Sequence, residues 1–248
     1  MQINLKQNEM LCDLQCEGLF LVQEKGGYKF TTDAVLLANF IDTKPNATLV
    51  EFCAGSGVVS ILVNAKRKPK TIYAVEIQEK TAKLFEKSLS INGIKNIKVI
   101  NMSLEDWAED FREKVDAVFV NPPYFKTGSG RLPQNEDVQI SKYEVKTNID
   151  SIINSAKRVL KPGGALFLVH LTEREKEIML SLKANGFSVT KLVHVFPTLN
   201  KPSNVFLAKA ELILKEKLEI MPDIIINNPD GSETEQIKRI YNRNGEYN

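Results

Sequence analysis

The sequence predicts an α/β fold built on a mostly parallel, seven-stranded sheet that carries helices on both of its faces. Short apolar runs alternate with amphipathic stretches from residue 48 to about residue 214, an order that is typical of such sheets. Gly93, Gly186 and Pro162 follow helical patterns, at positions where a helix is expected to stop. The chain of 248 residues is long enough to form one sizeable core.

Each apolar run is predicted to be one strand of the sheet. The seven runs cover residues 48–52, 71–77, 97–101, 115–120, 165–170, 188–196 and 204–214. The amphipathic stretches between them predict helices at residues 58–66, 79–92, 104–111, 148–159 and 174–185. Upstream, residues 31–40 predict a further helix, capped by Thr32 or Asp33, whose apolar side chains face the core.

Three regions lie outside this alternation. Residues 124–147 have few apolar side chains and no clear period, so we expect a long loop, and such loops are often lids or binding loops. Ser232 and Glu235 form a capping box that predicts a last helix through Tyr241, after a short strand at residues 224–226. We expect an N-terminal segment and helix on the ligand side (1–40), a core (41–215) and a C-terminal strand-turn-helix appendage (216–248).

Composition narrows the classes of function. The formal charge of +2 permits a nucleic-acid partner without selecting one. The apolar runs are far too short to span a membrane and the first ten residues lack the order of a signal peptide, so we expect a cytoplasmic protein, and a monomer is favoured. With His170 and His194 in apolar runs and no cluster at ligand spacing, we expect no metal site.

A glycine-rich turn after the first core strand predicts a ligand site. Gly55 and Gly57 stand where the carboxyl edge of the sheet meets the next helix, so the backbone can approach a ligand closely. A dinucleotide-binding turn would usually have a third glycine where this chain has Ser60, which weakens that interpretation. Glu51, just before the glycines, suits a cationic ligand.

Glu76 ends the second core strand and is predicted to lie at the same edge of the sheet. A carboxylate at this position can accept hydrogen bonds from both hydroxyls of a ribose. This role fits S-adenosylmethionine and a nicotinamide dinucleotide equally.

The tetrapeptide Asn121-Pro122-Pro123-Tyr124 follows the fourth core strand and distinguishes between these ligands. The amide oxygen of Asn121 and the carbonyl oxygen of Pro122 are acceptors that together can hold both hydrogens of a planar amino group. Proline fixes the backbone that carries them, and Tyr124 offers a flat face on which a base can stack. We therefore predict methyl transfer to an amino nitrogen.

Together these residues resemble the Rossmann-like class I S-adenosylmethionine-dependent methyltransferases, and the tetrapeptide resembles the branch that modifies amino nitrogens. That branch includes adenine-N6 enzymes acting on DNA and RNA and enzymes that methylate protein glutamine. Over most of its length the chain is similar to bacterial tRNA1(Val) adenine-N6 methyltransferases, which act beside the anticodon. The segments that carry this similarity are Phe30 to Leu37, Leu160 to Gly164, Val169-His170, Lys201-Pro202 and Gly231 to Tyr241.

The resemblance implies a set of site residues. Asn121, Pro122, Pro123 and Tyr124 carry over as catalytic. The cofactor-binding set is Thr32, Asp33, Glu51, Cys53, Ala54, Gly55, Gly57, Glu76, Ile77, Ser103, Leu104 and Asn121. An aspartate that binds the adenine of the cofactor is common after the third strand, but this chain has Ser103, so Ser103, the Leu104 amide and Glu105 are all candidates.

The resemblance also implies a partner, the anticodon stem-loop of transfer RNA. The loop after Tyr124, with Lys126, Arg131 and Lys142, and a basic margin of Lys201, Lys238, Arg239 and Arg243 are its expected contacts. Three alternatives stay open: another methylated substrate such as rRNA, DNA or protein glutamine; a noncatalytic RNA-binding protein; and a nicotinamide-dependent oxidoreductase, which leaves the tetrapeptide without a role.

Overall fold

The computed structural model describes residues 5–27, 29–128, 133, 135–213 and 218–241. Its strands are β1 Glu9–Asp13, β2 Phe20–Glu24, β3 Thr48–Phe52, β4 Thr71–Val75, β5 Ile97–Ile100, β6 Val115–Val120, β7 Leu160–Leu171, β8 Ser188–Thr198, β9 Val205–Glu211, β10 Glu219–Ile220 and β11 Ile224–Asn227. Its α-helices are α1 Thr32–Phe40, α2 Val58–Arg67, α3 Glu79–Ile91, α4 Leu104–Asp110, α5 Glu136–Lys142, α6 Ile149–Val159, α7 Glu175–Ala184 and α8 Glu235–Ile240.

The central sheet of the described residues has nine strands in the order β10, β8, β9, β7, β6, β3, β4, β5, with β11 also paired to β8. Strands β3 to β7 run parallel, and β9 is antiparallel to both of its neighbours. Because the chain leaves β3 towards β4 and β5 and then returns to β6 on its other side, β3 and β6 flank the topological switch point. Ligands bind at the carboxyl edge of such a crevice.

Both faces of the sheet are covered by helices, which explains the apolar runs. One buried cluster joins the sheet to α1, α2 and α3, and the other joins it to α4, α6 and α7. Leu49 belongs to the first cluster and Val50 to the second, and neither is exposed. Successive strand residues point to opposite faces, so a strand covered on both sides is apolar throughout.

The seven predicted core strands are present as β3 to β9, so the predicted class of fold is confirmed. The prediction missed β1, β2 and β10 as well as α5, which occupies part of the expected long loop. The cap predicted for α1 was wrong: the N-cap residue is Thr31, and its side chain forms no capping hydrogen bond. The Ser232 capping box was also wrong, because Thr234 caps α8 while Ser232 bonds to Asp230.

The antiparallel hairpin of β1 and β2 is docked on α3 by its backbone. Asn92 accepts the Phe20 amide at 2.9 Å, and Ser88 Oγ accepts the Val22 amide at 2.9 Å. These bonds satisfy one edge of the hairpin. The hairpin therefore lies beside the carboxyl edge of the main sheet.

The C-terminal residues extend the sheet and return to the core. Strand β11 pairs with β8 in parallel, and Thr234 ties the start of α8 to β11 by donating to the Ile225 carbonyl at 2.6 Å. Ile237 is buried in the cluster that contains α1. Arg131 and Arg243, which belong to the predicted RNA contacts, and residue 214 lie outside the described residues. No helix in the described ranges is long and apolar enough to cross a membrane.

Candidate active site

A cavity of about 320 Å³ opens at the carboxyl edge of the sheet, beside the switch point of β3 and β6. Its size is that of a site for a small ligand. Twelve of the fifteen predicted site residues line it: Asp33, Glu51, Cys53, Ala54, Gly55, Glu76, Ile77, Leu104, Asn121, Pro122, Pro123 and Tyr124.

Thr32, Gly57 and Ser103 are not among the lining residues. Gly57 packs against the ring of Phe85. Ser103 caps α4, since its hydroxyl accepts the Asp106 amide at 3.1 Å. The Ser103 oxygen, which was a candidate for binding the adenine of a cofactor, is therefore hydrogen-bonded to the backbone of α4.

The turn after β3 depends on left-handed backbone at three positions. Cys53 has φ +54°, Gly55 has φ +55° and Gly57 has φ +87°. A Cβ at Gly57 would lie 2.0 Å from the Phe85 ring, whereas one at Gly55 would meet no atom within 4 Å. Gly57 therefore allows α3 to pack against the turn, and Gly55 keeps the backbone open towards the cavity.

Glu51 is the most deeply buried acid of the site, with 2% of its surface exposed. Its Oε2 accepts hydrogen bonds from the amide of Ser60, at 3.2 Å, and from the Ser60 hydroxyl. Burial raises the pKa of Glu51 to about 8, the hydrogen bonds from Ser60 oppose this shift, and the nearby Glu76 adds to it. A cation in the cavity would favour the charged form.

Glu76 is held in place by two backbone amides. Its Oε2 accepts from Gly55 at 2.7 Å and its Oε1 accepts from Gln78 at 2.8 Å. Burial raises the pKa of Glu76, and these two bonds oppose the rise. Each carboxylate oxygen retains a lone pair, so both can still accept a hydroxyl of a ligand.

The tetrapeptide is organised around the Tyr124 hydroxyl. The hydroxyl oxygen lies 2.8 Å from Asn121 Oδ1 and 3.1 Å from Asp33 Oδ2. Burial raises the pKa of Asp33, and the hydrogen bond from Tyr124 opposes that rise. The contact fixes the side-chain oxygen of Asn121 on the side of Tyr124, and an amide oxygen has a second lone pair for a substrate.

His170 packs against the ring of Tyr124, with the centroids 5.1 Å apart. It is fully buried, and its Nδ1 accepts the Leu171 amide at 2.8 Å. Burial lowers the pKa of His170 to about 3, helped by the positive charge of Arg174, so the imidazole is neutral. His194 instead pairs with Glu175 at 2.7 Å. His170 supports Tyr124 by packing.

Arg174 links the tetrapeptide to the end of the following loop. Its Nη1 donates to the Tyr124 carbonyl at 3.1 Å and to Glu144 Oε1 at 2.8 Å, and its Nη2 donates to Glu177 at 2.8 Å. Arg174 is only 7% exposed. Its hydrogen bonds to protein groups therefore replace those that water would make.

Helix α5 closes the mouth of the cavity through polar contacts. Gln78 donates to Ser141 Oγ at 3.2 Å. Lys80 lies 3.5 Å from Asp137 of α5 and 2.5 Å from Glu24 of the hairpin. Lys80 is exposed in both of these ion pairs, so each pair contributes little to stability.

The sequence prediction missed several residues that line the cavity. They include Gln23 and Glu24 of the hairpin, Met102 after β5 and Lys146 after the tetrapeptide. Lys142, one of the expected RNA contacts, and Glu105 line the cavity as well. Glu105 accepts the Thr147 hydroxyl at 2.7 Å. The alternation of strands and helices in the sequence gives no signal for a hairpin in front of the sheet. Glu105, in contrast, was one of the candidates for binding the adenine of the cofactor.

A family model described as "Methyltransferase small domain" matches residues 28–194. A putative protein N5-glutamine methyltransferase of Methanocaldococcus jannaschii is 29% identical over 187 residues, covering 71% of this chain and 88% of that protein. A tRNA1(Val) (adenine(37)-N6)-methyltransferase of Proteus mirabilis is 23% identical over 225 residues, covering 88% of each chain.

Among solved structures, a predicted O-methyltransferase from Agrobacterium tumefaciens superposes with a TM-score of 0.68 at 18% identity. The match covers 85% of this chain and 95% of that one. At this identity the likeness concerns the fold, which is that of the class I methyltransferases.

Proposed function

The chain belongs to the methyltransferase small domain family, and on that basis we propose that it methylates N6 of an adenine in transfer RNA. It is an S-adenosylmethionine-dependent methyltransferase of class I fold. The proposed target is adenine 37, next to the anticodon of tRNA1(Val). The observation that carries the proposal is the Asn121 side-chain oxygen, held by the Tyr124 hydroxyl at 2.8 Å beside the cofactor cavity.

The described residues fit the cofactor. Glu51 and Glu76 are both buried, both line the cavity, and within the described residues neither forms an ion pair with a cation of the protein. Uncompensated buried carboxylates are costly unless a ligand brings the matching charge or donors. A ligand with a positively charged methionine part and ribose hydroxyls does so, with Glu51 towards the charge and Glu76 towards the ribose.

When bound, S-adenosylmethionine supplies an electrophilic methyl group and a thioether leaving group. The adenine amino group is a poor nucleophile because its lone pair is delocalised into the ring. Asn121 Oδ1 and the Pro122 carbonyl would accept its two N–H groups, which favours a more tetrahedral nitrogen with its lone pair directed at the methyl group. The methylated nitrogen would carry a positive charge and release one of its two protons to solvent. Tyr124 stacks on the base.

The choice of transfer RNA is supported by the names of several relatives and by the length over which they align with this chain. The alignment with the Proteus mirabilis tRNA1(Val) enzyme covers 88% of each chain, so it extends beyond the family domain. Two further curated relatives with the same name, from Parabacteroides distasonis and Vibrio vulnificus, cover 72% and 73% of this chain.

Protein glutamine is the second candidate substrate. The Methanocaldococcus jannaschii relative carries a name for that activity. A glutamine side chain also presents a planar amino group that Asn121 and Pro122 can hold by the same two hydrogen bonds.

Mass spectrometry of transfer RNA from a strain lacking the gene tests the proposal. We expect N6-methyladenosine to disappear from valine transfer RNA and to return with the wild-type gene, but not with Asn121→Ala. Unchanged N6-methyladenosine in the deletion strain would refute the proposed substrate. Because Asn121 is itself one of the predicted cofactor-binding residues, thermal denaturation of Asn121→Ala is the control for correct folding.

A further inference from the structure

Phe125 is an exposed aromatic side chain at the mouth of the active site. It follows the tetrapeptide directly, lines the cavity and is 38% exposed. Its ring lies beside that of Tyr143, with centroids 5.4 Å apart and planes tilted by 40°. The two neighbouring rings together offer an aromatic surface at the rim of the site.

The backbone holds Phe125 in this position. Its amide donates to the Lys142 carbonyl at 3.0 Å, and its carbonyl accepts the Glu144 amide at 2.8 Å. These bonds form a parallel bridge between Phe125 and Tyr143. Arg174 reinforces the bridge by bonding to both Glu144 and the Tyr124 carbonyl. The ring is therefore presented by a rigid support, which lowers the entropic cost of binding.

Two exposed lysines follow Phe125 in the chain at the mouth of the cavity. Lys142 and Lys146 are exposed and line the mouth of the cavity. A stacking surface flanked by lysines is the arrangement that binds single-stranded nucleic acid.

We propose that Phe125, Tyr143, Lys142 and Lys146 form an aromatic platform for a nucleotide adjacent to the target adenine. The neighbouring base stacks on Phe125 while the lysines contact the backbone phosphates. Tyr124 holds the target base and the platform holds the strand, so the two aromatic residues have separate roles. This inference rests on the proposed RNA substrate and adds the group that positions it.

A cycle of protein and RNA changes tests the platform. Wild-type protein and Phe125→Ala are each assayed with an anticodon stem-loop RNA and with two versions that lack the base on the 5′ or the 3′ side of the target adenine. RNA affinity is measured by fluorescence anisotropy without cofactor, and kcat and KM by methyl transfer.

On intact RNA we expect Phe125→Ala to weaken RNA binding about tenfold. On one of the two abasic RNAs the same substitution should change affinity less than twofold, because the stacking partner is gone. Lys146→Ala should lower the salt dependence of binding by about one phosphate contact. Lys44→Ala, on an exposed lysine before β3 at the opposite edge of the sheet, is the matched control.

Two results would overturn the platform. One is that Phe125→Ala weakens binding about tenfold on both abasic RNAs as well, and the other is that Phe125→Ala binds intact RNA as tightly as the wild type does. Phe125→Leu keeps an apolar side chain without a stacking face and should behave like alanine, and unchanged melting temperatures show that both variants are folded. If the wild-type protein methylates RNA but the effect of Phe125→Ala does not depend on a neighbouring base, only the proposed platform is refuted. If it methylates a glutamine peptide and not RNA, the proposed function fails with it.

Discussion

Tyr124 Oη lies 2.8 Å from Asn121 Oδ1 within the tetrapeptide at the end of β6. The same hydroxyl lies 3.1 Å from Asp33 Oδ2 at the start of α1. The acceptor proposed to hold the substrate amino group is therefore oriented by a neighbour from its own motif. This contact couples the tetrapeptide to the helix that precedes the core.

Tyr124→Phe keeps the stacking face and removes the orienting hydroxyl. A hydrogen bond of this kind contributes about 0.5–1.5 kcal/mol, so we expect kcat to fall about 3- to 10-fold with little change in cofactor affinity. Single-turnover methyl transfer measures the effect. Tyr73→Phe, on a tyrosine of β4 that does not line the cavity, is the control. An undiminished rate would show that the hydroxyl does not orient Asn121.

Cofactor binding should release a proton from Glu51. Burial raises the pKa of Glu51 to about 8, so below pH 8 the acid is mostly protonated, and a bound cation lowers this pKa again. Affinity should therefore rise with pH up to about pH 8. Calorimetry at pH 7 in buffers of different ionisation enthalpy measures the released proton. Glu51→Gln should abolish the release and the exposed Glu79→Gln should not; equal release in both variants contradicts the assignment.

The raised pKa of Glu51 also affects folding. Between its usual value of 4.5 and about 8 the native state binds a proton that the unfolded state has lost, so the free energy of unfolding should fall as pH rises through this window. In urea titrations across this range, Glu51→Gln should show a weaker dependence on pH. A dependence as steep as that of the wild type would exclude Glu51 as its source.

Gly57→Ala and Gly55→Ala should have different effects. At Gly57 a new Cβ would lie 2.0 Å from the Phe85 ring on a left-handed backbone, so we expect a loss of about 2–5 kcal/mol in stability. At Gly55 the Cβ meets no atom, so the loss should be about 1–2 kcal/mol, with a larger effect on cofactor affinity. Chemical denaturation measures both. Phe85→Leu should partly rescue Gly57→Ala, and additive losses would contradict the overlap.

Arg174→Met removes the link between the Tyr124 carbonyl and Glu144. Because Glu144 is largely buried, leaving it unpaired should cost about 3–5 kcal/mol of stability. Methyl transfer should fall as well, with a higher KM for RNA. Lys126→Met breaks an exposed pair with Glu177 and should change stability by about 1 kcal/mol or less. Equal melting temperatures for the two variants would show that Arg174 is not a support.

The sheet and the position of most predicted site residues were predictable because apolar runs and turn residues alternate regularly. The ends of β3, β4 and β6 place Glu51, Glu76 and Asn121 at one edge, as their positions in the sequence predict. The hairpin was missed because two of its buried residues, Glu9 and Gln23, are polar and break the alternation of a half-buried strand.

Other features depend on contacts that single side chains in the sequence do not reveal. Ser103, which the resemblance assigns to the cofactor, also caps α4 by accepting the Asp106 amide. Helix α5 has no buried residue and so leaves no apolar period in the sequence. Arg174 is buried because Glu144 and Glu177 surround it, a grouping that only the folded chain creates.

The most direct test of the central claim is a single reaction that contains purified protein, cofactor with an isotope-labelled methyl group, unmodified tRNA1(Val) and a glutamine-containing peptide. Mass spectrometry then locates the label. We predict label at N6 of adenine 37 with wild-type protein, and none with Asn121→Ala, whose folding is checked by thermal denaturation. Label on the peptide glutamine, or undiminished labelling of RNA by Asn121→Ala, would contradict the proposed function.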